Sequence, residues 1–367
     1  MSAAILTVAP PLPWNVYVRR CTTALPFPFK NGLGKLFARA RQGLYEGLLL
    51  LRLPRGAKAL VPAFHHGSEI EAYVQAGLDL LYYDVGPDLA PDPAELDARL
   101  DPSVRVLHVI HYLGFAQDAA RWRHWCDLRG IHLVEDAAQG WLGAIDGRPL
   151  GTWGTLALFS IYKTVGVPDG GAVVLEGTLL RPTGRHHMGV RGVAVRHGAW
   201  FAARSPAVGS LWRRLRRAQA YLAEKDFRLG DPRRGATAPL SILLPRLLAS
   251  PVAEARARHY RALTAELRAW VPRPFRRDPE GLSPFAFPVF VVDKERAAAG
   301  LMRHGVRAVK LWSVPHPSLR VTEFPGAARL RQGTLLLPVH QELRPEDLER
   351  IVSAAYATLG PPVPSDP

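Results

Sequence analysis

The feature that most constrains the fold of this sequence is the alternation of short apolar runs with amphipathic segments between residues 58 and 176. Short apolar runs are typical of buried strands, whereas the segments between them carry apolar residues at helical spacing and stop at glycine. This alternation predicts an α/β fold with a mostly parallel central sheet, because a crossover helix returns each strand to the same direction. The predicted strands are 58–63, 78–85, 104–112, 131–136, 155–161 and 171–176, and the clearest helices are 67–77 and 118–130.

We divide the chain into three parts by the same patterns. Residues 1–34 are rich in proline and are predicted to form an extended N-terminal segment. Residues 35–249 are predicted to form a large α/β domain, which opens with a helical pattern over about 35–53 and ends in a basic, helix-rich connecting region. Residues 250–367 are predicted to form a smaller C-terminal α/β domain and a tail. Its strand patterns are 285–292 and 334–340, and its helical patterns are 252–270, 294–305 and 344–359.

The net charge of +15 is compatible with nucleic acid, an anionic membrane surface or an anionic small substrate. Most of the cations are arginines spread along the chain, which favours a composition bias with some selection for a phosphorylated substrate. No basic stretch accompanies a recognisable nucleic-acid-binding module, so we expect no nucleic acid as a partner. The basic amphipathic segment 212–227 leaves a contact with a membrane or nucleic acid open. A helix packed on its own protein or on a partner subunit is the favoured interpretation.

The rest of the composition is typical of a globular enzyme. No apolar run approaches the roughly 20 residues that span a bilayer, and the N-terminus lacks the basic lead of a signal peptide. The two cysteines, Cys21 and Cys126, predict neither a disulfide framework nor a metal site. We therefore expect a cytoplasmic protein without membrane insertion and without a bound metal.

Chemistry is concentrated between residues 134 and 174. One predicted strand ends in Glu135 and Asp136, and a later strand ends in Ser160, with Lys163 just beyond it. Ligands of open α/β sheets bind outside the carboxyl ends of the strands, so an acid and an amine are expected together at this edge. A buried ion pair without catalytic role would present the same two side chains.

The complete pattern resembles the DegT/DnrJ/StrS family of sugar aminotransferases, which have the pyridoxal-phosphate-dependent fold type I. A strand ending in an acidic motif, a glycine-containing turn, a strand leading to lysine and a double-glycine turn follow one another in the family's order. They are EDAAQ (135–139), LGTWG (150–154), LFSIYK (158–163) and DGG (169–171). Weaker similarities lie at 60–85, 109–115 and 335–352, so the resemblance covers most of residues 35–360.

The resemblance implies a role for each matching residue. Lys163 would hold the aldehyde of pyridoxal 5'-phosphate as a Schiff base and would then act as the base that moves the substrate proton. Asp136 would pair with the protonated pyridine nitrogen and keep the ring an electron sink. Gln139 would donate to the ring hydroxyl. His66 would stack on the ring, with His65 as the neighbouring alternative because adjacent strand-end residues point to opposite sides.

Phosphate binding departs from the family pattern. Relatives use a cluster of small Ser, Gly or Thr residues at the start of the first large-domain helix, where residues 40–43 here read ARQG. Arg41 would replace the lost hydroxyl with a charge-assisted bond, or it is a surface arginine. Ser160 is the other expected phosphate ligand. The asparagine that many relatives supply from a partner subunit has no clear match in ATAPLS, residues 236–241.

The family implies a homodimeric enzyme with a ping-pong reaction. It would move an amino group from an amino acid, typically glutamate, to a keto sugar, generally linked to a nucleotide. Cell-surface polysaccharide or secondary-metabolite biosynthesis would be its setting. Two alternatives remain open: another pyridoxal-phosphate reaction, such as elimination or decarboxylation, and a non-catalytic interaction or regulatory protein on the same fold. Relatives that act as sugar dehydratases have histidine in place of the lysine, and Lys163 argues against that activity here.

Overall fold

The computed structural model of the protein describes residues 5–22, 24–30, 34–177, 189–202, 204–205 and 227–362. Its strands are β1 (Leu6–Thr7), β2 (Lys35–Phe37), β3 (Lys58–Pro62), β4 (Asp79–Tyr83), β5 (Val104–Ile110), β6 (His132–Asp136), β7 (Ala144–Ile145), β8 (Arg148–Pro149), β9 (Leu156–Ser160), β10 (Gly171–Leu175), β11 (Phe287–Phe290), β12 (Val306–Arg307), β13 (Val309–Lys310) and β14 (Thr334–Leu337).

The α-helices alternate with these strands over much of the chain. They are α1 (Ala40–Leu50), α2 (Ser68–Gln75), α3 (Pro93–Ala98), α4 (Ala119–Asp127), α5 (Ile161–Thr164), α6 (Gly189–Ala202), α7 (Pro239–Leu247), α8 (Val252–Leu267), α9 (Lys294–Arg303), α10 (Pro325–Gly333) and α11 (Pro345–Thr358). Within the described ranges, no helix is long and apolar enough to cross a membrane. The predicted helix at 212–227 lies outside the described residues, apart from Phe227.

A seven-stranded sheet carries the candidate site. Its order is β2-β10-β9-β6-β5-β3-β4, and the five strands from β9 to β4 run parallel. Strands β3, β5, β6 and β9 are largely buried, and Ala59, Leu60 and Val61 of β3 are fully inaccessible. Continuous apolar strands of this kind require helices on both faces. The predicted α/β fold with a mostly parallel sheet is confirmed.

The region before the first long helix differs from its prediction. The helical pattern was expected from residue 35, but residues 35–37 form β2 and the helix begins at Ala40. β2 pairs antiparallel with β10, with Phe37 opposite Gly171, and Phe37 is fully buried. A three-residue strand at the sheet edge depends on a partner that lies more than 130 residues away, which a local pattern does not reveal.

The N-terminal segment packs against the C-terminal part of the chain. β1 pairs parallel with β12, where Leu6 lies opposite Val306, and Leu12 and Val16 are fully buried. The segment is therefore part of the hydrophobic core. Its few residues gain their conformation from this packing, since two-residue strands have no stability of their own.

A second, three-stranded antiparallel sheet has the order β11-β14-β13. Helix α11 packs on α8 and α9 beside it. Strands and helices thus occur where the C-terminal patterns predicted them. The division of the chain at residue 250 stays a prediction.

Candidate active site

A cavity of about 180 Å³ opens at the carboxyl ends of β6 and β9. All six residues that the sequence singled out as site residues line it, although they come from separate parts of the chain. They are Arg41, His66, Asp136, Gln139, Ser160 and Lys163. The remaining lining residues are Arg39, Ala40, Ser68, Glu69, Ile110, Ala138, Leu158, Tyr162, Phe285, Val309, Lys310, Leu311 and Trp312.

The two acids at the end of β6 point to opposite sides of the sheet, as neighbouring strand residues do. Glu135 points away from the cavity and is fully buried. Its carboxylate accepts hydrogen bonds from the backbone N–H groups of Gly151 (2.6 Å), Trp153 (2.8 Å) and Gly154 (2.8 Å). His111 lies 2.9 Å away through Nε2. These donors define Glu135 as a structural anchor for the loop before β9.

Asp136 is the acid that faces the cavity. Its Oδ1 accepts from the backbone N–H of Ala138 at 2.8 Å, and its Oδ2 lies 3.5 Å from His108 Nε2. Burial alone raises the pKa of Asp136, but the neighbouring His108, the charge of Lys163 and the Ala138 N–H together hold it below its usual value. The cavity therefore contains a carboxylate that stays ionised although it is 7% exposed.

Lys163 lies on the short helix α5, directly after β9. Its side chain is half-buried, and its Nζ lies 5.8 Å from the centre of the Phe285 ring. The backbone here is held from the other side by Arg256, whose Nη2 donates to the carbonyl oxygens of Lys163 (3.3 Å) and Thr164 (2.7 Å). The amine thus projects into the cavity from a backbone whose carbonyls are fixed.

Gln139 presents its amide to the cavity in one orientation. Its Oε1 accepts a 2.8 Å hydrogen bond from the backbone N–H of Leu113, so its NH₂ group is turned toward other acceptors. The neighbouring Gly114 allows this approach: it has φ 89°, and a Cβ there would lie 2.6 Å from the carbonyl oxygen of Ser283. A larger residue at this position would push the loop away from Gln139.

Of the two adjacent histidines, His66 lines the cavity and His65 does not. His65 is fully buried against Tyr82, with ring centres 5.6 Å apart, and its Nδ1 lies 2.7 Å from the carbonyl oxygen of Pro62. Burial lowers the pKa of His66 to about 4; Glu69 opposes that shift, and nearby cations add to it. His66 is therefore a neutral aromatic ring at neutral pH.

One end of the cavity is strongly cationic. Arg39 and Arg41 stand at the start of α1, and the guanidinium of Arg39 lies 4.5 Å from the centre of the Tyr162 ring. Although burial disfavours the phenolate, the charges of Lys163, Arg39 and Arg41 and a hydrogen bond with Ser160 hold the pKa of Tyr162 below its usual value. Such a cluster stabilises an anion, and the helix N-terminus adds its own N–H groups.

Sequence patterns did not single out Arg39, Tyr162, Glu69, Lys310 or Trp312 as site residues. Arg39 immediately precedes the stretch that was compared with the family's phosphate loop, and Tyr162 immediately precedes the lysine. Both residues are therefore direct neighbours of positions that the sequence patterns did single out. Lys310 and Trp312 come from β13 and the turn after it, and only the packing of the two sheets brings them to the cavity.

Residues 40–43 do not all face the cavity, as the comparison with the family's phosphate-binding stretch had suggested. The side chain of Gln42 accepts from the N–H of Arg39 at 3.0 Å and donates to the carbonyl oxygen of Asp231 at 2.7 Å. Gly43 packs against β10, where a Cβ would lie 2.2 Å from Val173. Only Ala40 and Arg41 of this stretch therefore face the cavity.

Comparison with known proteins gives a consistent family. Residues 37–200 match the DegT/DnrJ/EryC1/StrS aminotransferase family. The UDP-N-acetyl-3-dehydro-alpha-D-glucosamine 3-aminotransferase of Acidithiobacillus ferrooxidans is 25% identical over 338 residues, which are 88% of this chain and 83% of that protein. The GDP-perosamine synthase of Vibrio cholerae is 26% identical over 140 residues, which are 37% of this chain and 38% of that protein.

Solved structures agree in fold. The crystal structure of the aminotransferase TlmJ from Streptoalloteichus hindustanus superimposes with a TM-score of 0.63 at 21% identity and covers 88% of this chain and 84% of that chain. The chain therefore shares the fold of that aminotransferase. The family that matches residues 37–200 is the one that the motifs of the sequence resemble. The prediction of an enzyme is confirmed with it.

Proposed function

We propose that this protein is a pyridoxal-phosphate-dependent aminotransferase that moves an amino group from an amino acid, such as glutamate, to a nucleotide-linked keto sugar. The observation that carries this proposal is that Lys163 and Asp136 open into one cavity whose other end holds Arg39 and Arg41. An amine, a fixed anion and a cationic end are the three groups that this cofactor requires.

The chemistry of the cavity fits pyridoxal phosphate. When bound, the cofactor supplies an aldehyde and a ring that withdraws electrons from the substrate carbon. Asp136 would hold the positive ring nitrogen, because its carboxylate stays ionised and faces the cavity. Gln139 would donate its NH₂ group to the ring hydroxyl, since its carbonyl oxygen is already bonded to Leu113. The neutral ring of His66 would lie on one face.

Phosphate would bind at the cationic end. Arg41 and Arg39 supply charge, and Ser160 and Tyr162 supply hydroxyl groups. The N-terminus of α1 adds backbone N–H groups and a dipole of the right polarity. Arginine in place of the family's small residues thus keeps an anion site by charge instead of by hydroxyl groups.

Lys163 would carry the proton during the transfer. Its amine would act as the base that takes a proton from the substrate carbon and gives it back. Phe285 forms an apolar wall beside the amine and excludes water from this step. Arg256 fixes the carbonyl oxygens at Lys163 and Thr164, so the amine returns to one position.

The acceptor would bind at the open side of the cavity. Lys310 and Trp312 also line the cavity, and the ammonium of Lys310 lies 2.8 Å from a carboxylate oxygen of Glu295. A cationic and an indole side chain in one cavity suit a diphosphate linked to a sugar or base. The relatives named above act on UDP- and GDP-linked sugars according to their names, which supports a nucleotide-linked acceptor for this chain.

A homodimer and a cytoplasmic location are part of the same proposal, because the family implies both. Sedimentation velocity tests the first: we expect a particle with twice the chain mass of 40.4 kDa. A monomer that is active at low concentration would contradict it.

Half-reaction spectroscopy tests the enzymatic proposal. Purified protein with added cofactor should absorb above 400 nm, and glutamate should bleach that absorbance while one equivalent of 2-oxoglutarate forms. Lys163→Ala is the matched control and should show neither change. Release of carbon dioxide or of an eliminated group would identify a different pyridoxal-phosphate reaction. Protein that takes up no cofactor would identify a non-catalytic role.

A further inference from the structure

A line of three buried polar groups leads from the cavity into the core behind Asp136. His108 lies on β5, the strand beside β6, and its Nε2 is 3.5 Å from Asp136 Oδ2. On its far side, His108 Nδ1 is 2.9 Å from the hydroxyl of Tyr73 on α2. His108 and Tyr73 are both fully buried. Three aligned polar groups in a core are costly unless each satisfies the next.

Tyr73 can donate its hydroxyl proton to His108 Nδ1. Burial, together with the charge of Asp136, raises the pKa of Tyr73 well above its usual value, so the group is a neutral phenol. If its O–H donates to Nδ1, the single proton of the neutral imidazole lies on Nε2 and points to the carboxylate. A second phenol, Tyr83, donates to the backbone carbonyl oxygen of His108 at 2.6 Å.

We propose that His108 is a positioning residue for Asp136: Tyr73 fixes its tautomer, and the resulting Nε2–H keeps the carboxylate ionised and aimed into the cavity. The proposal deepens the proposed function, because Asp136 matters to the cofactor only through its charge and direction. It also explains why a histidine stands at a core strand position where an aliphatic side chain would pack without any polar cost.

The charged and titratable groups around this line are few among the described residues. Lys163 acts on Asp136 from the cavity side. Tyr83 and Glu69 act on Tyr73 from β4 and α2. His108 approaches the Asp136 carboxylate from within the sheet, on the neighbouring strand β5. Burial raises the pKa of Asp136, and His108 is one of the groups that lower it. Without His108, the pKa of Asp136 should therefore rise.

The first test uses the protein without cofactor. Nitrogen-15 spectra of histidine-labelled protein report the tautomer of each ring, and the signal of His108 is identified by its loss in His108→Leu. We expect a neutral ring with the proton on Nε2. A ring with the proton on Nδ1 would overturn the proposal, because Nε2 would then face the carboxylate as a second acceptor.

The second test measures the titration of Asp136 by carbon-13 NMR of labelled aspartate, with Asp136→Asn to identify the signal. His108→Leu should raise the midpoint by about one to two pH units, the size of a hydrogen bond to a charged group. Tyr73→Phe should raise it by less. Tyr83→Phe is the matched control, since it removes a buried hydroxyl that donates to the backbone carbonyl oxygen of the same histidine, and it should leave the midpoint unchanged.

The outcomes separate this proposal from the proposed function. If His108→Leu leaves the midpoint unchanged, or if Tyr83→Phe shifts it as much as Tyr73→Phe, then His108 is only a packing residue. Neither measurement needs cofactor, so protein that never binds pyridoxal phosphate would refute the function while these titrations still judge the role of His108. Should His108→Leu fail to fold, His108→Gln identifies the signal instead, and the tautomer measured in Tyr73→Phe and in the unsubstituted protein decides between the two roles.

Discussion

The guanidinium of Arg256 lies 2.7 Å from the carbonyl oxygen of Thr164, one residue beyond the candidate catalytic lysine. The same side chain donates to the carbonyl oxygens of Pro284 (2.9 Å) and Phe285 (3.2 Å), and Phe285 lines the cavity. Arg256 is on α8, so a single buried cation joins the C-terminal part of the chain to the turn that carries Lys163. The position of the amine therefore depends on the packing of a distant helix.

Arg256→Met should lower the free energy of unfolding by about 2–4 kcal/mol, because several buried carbonyl oxygens lose their donor at once. Urea denaturation followed by circular dichroism measures this. Arg258→Met, on an exposed position of the same helix, is the control and should change stability by less than about 0.5 kcal/mol. Equal effects of the two substitutions would contradict the role given to Arg256.

Phosphate binding by the cationic end gives a second prediction. Arg41→Met should weaken the binding of pyridoxal phosphate by about 10- to 100-fold, the effect of removing one charge-assisted hydrogen bond. The affinity for pyridoxal, which lacks the phosphate, should stay the same. Fluorescence titration with both ligands separates the two effects, and Arg55→Met at an exposed position serves as control. A proportional loss for both ligands would place Arg41 elsewhere in the site.

The sequence was sufficient for the parallel strands and for the residues at their ends. Alternating apolar runs and glycine stops are local signals, and Asp136 and Lys163 follow directly from strand ends that these signals define. It was insufficient for contacts set by pairing between distant segments. The strand at residues 35–37 forms because it pairs with β10. His108 lies near Asp136 because β5 pairs with β6 in a register that sets Ile110, two residues after His108, opposite Asp136.

Substitutions of the two acids of β6 should have different effects, one on the reaction rate and the other on the free energy of unfolding. Asp136→Asn should keep the fold and slow the glutamate half-reaction by about 10²- to 10³-fold, because the fixed anion opposite the cofactor ring is lost. Stopped-flow absorbance measures the rate. Full activity in this variant would show that another group supplies the anion.

Glu135→Gln should lower the stability of the fold and leave the half-reaction rate unchanged, the opposite of what we expect for Asp136→Asn. It replaces a carboxylate that accepts from Gly151, Trp153 and Gly154 with an amide that has one acceptor oxygen. We expect a loss of about 2–4 kcal/mol in unfolding free energy, measured by urea denaturation, with the half-reaction rate of the folded protein retained. A catalytic defect without loss of stability would contradict the structural role.

Acid sensitivity should come in part from His65. Burial first, and then the charge of Arg331, hold the pKa of His65 well below 6.5, its value in an unfolded chain. A group whose folded pKa is depressed gives stability that is complete above its unfolded pKa and is lost as the pH falls below it. His65→Phe should therefore reduce the slope of unfolding free energy against pH, between pH 6.5 and 5, by up to about 1.4 kcal/mol per pH unit. His124→Phe, at an exposed position, is the control; an equal change there would contradict the assignment.

Reduction with borohydride in the presence of pyridoxal phosphate, followed by peptide mapping, tests the central claim most directly. Two lysines line the cavity, Lys163 at the end of β9 and Lys310 on β13, so the method distinguishes two neighbouring amines. We predict a single pyridoxyl group on the peptide that contains Lys163, and none in Lys163→Ala. A label on Lys310, or a protein that carries no label, would contradict the account.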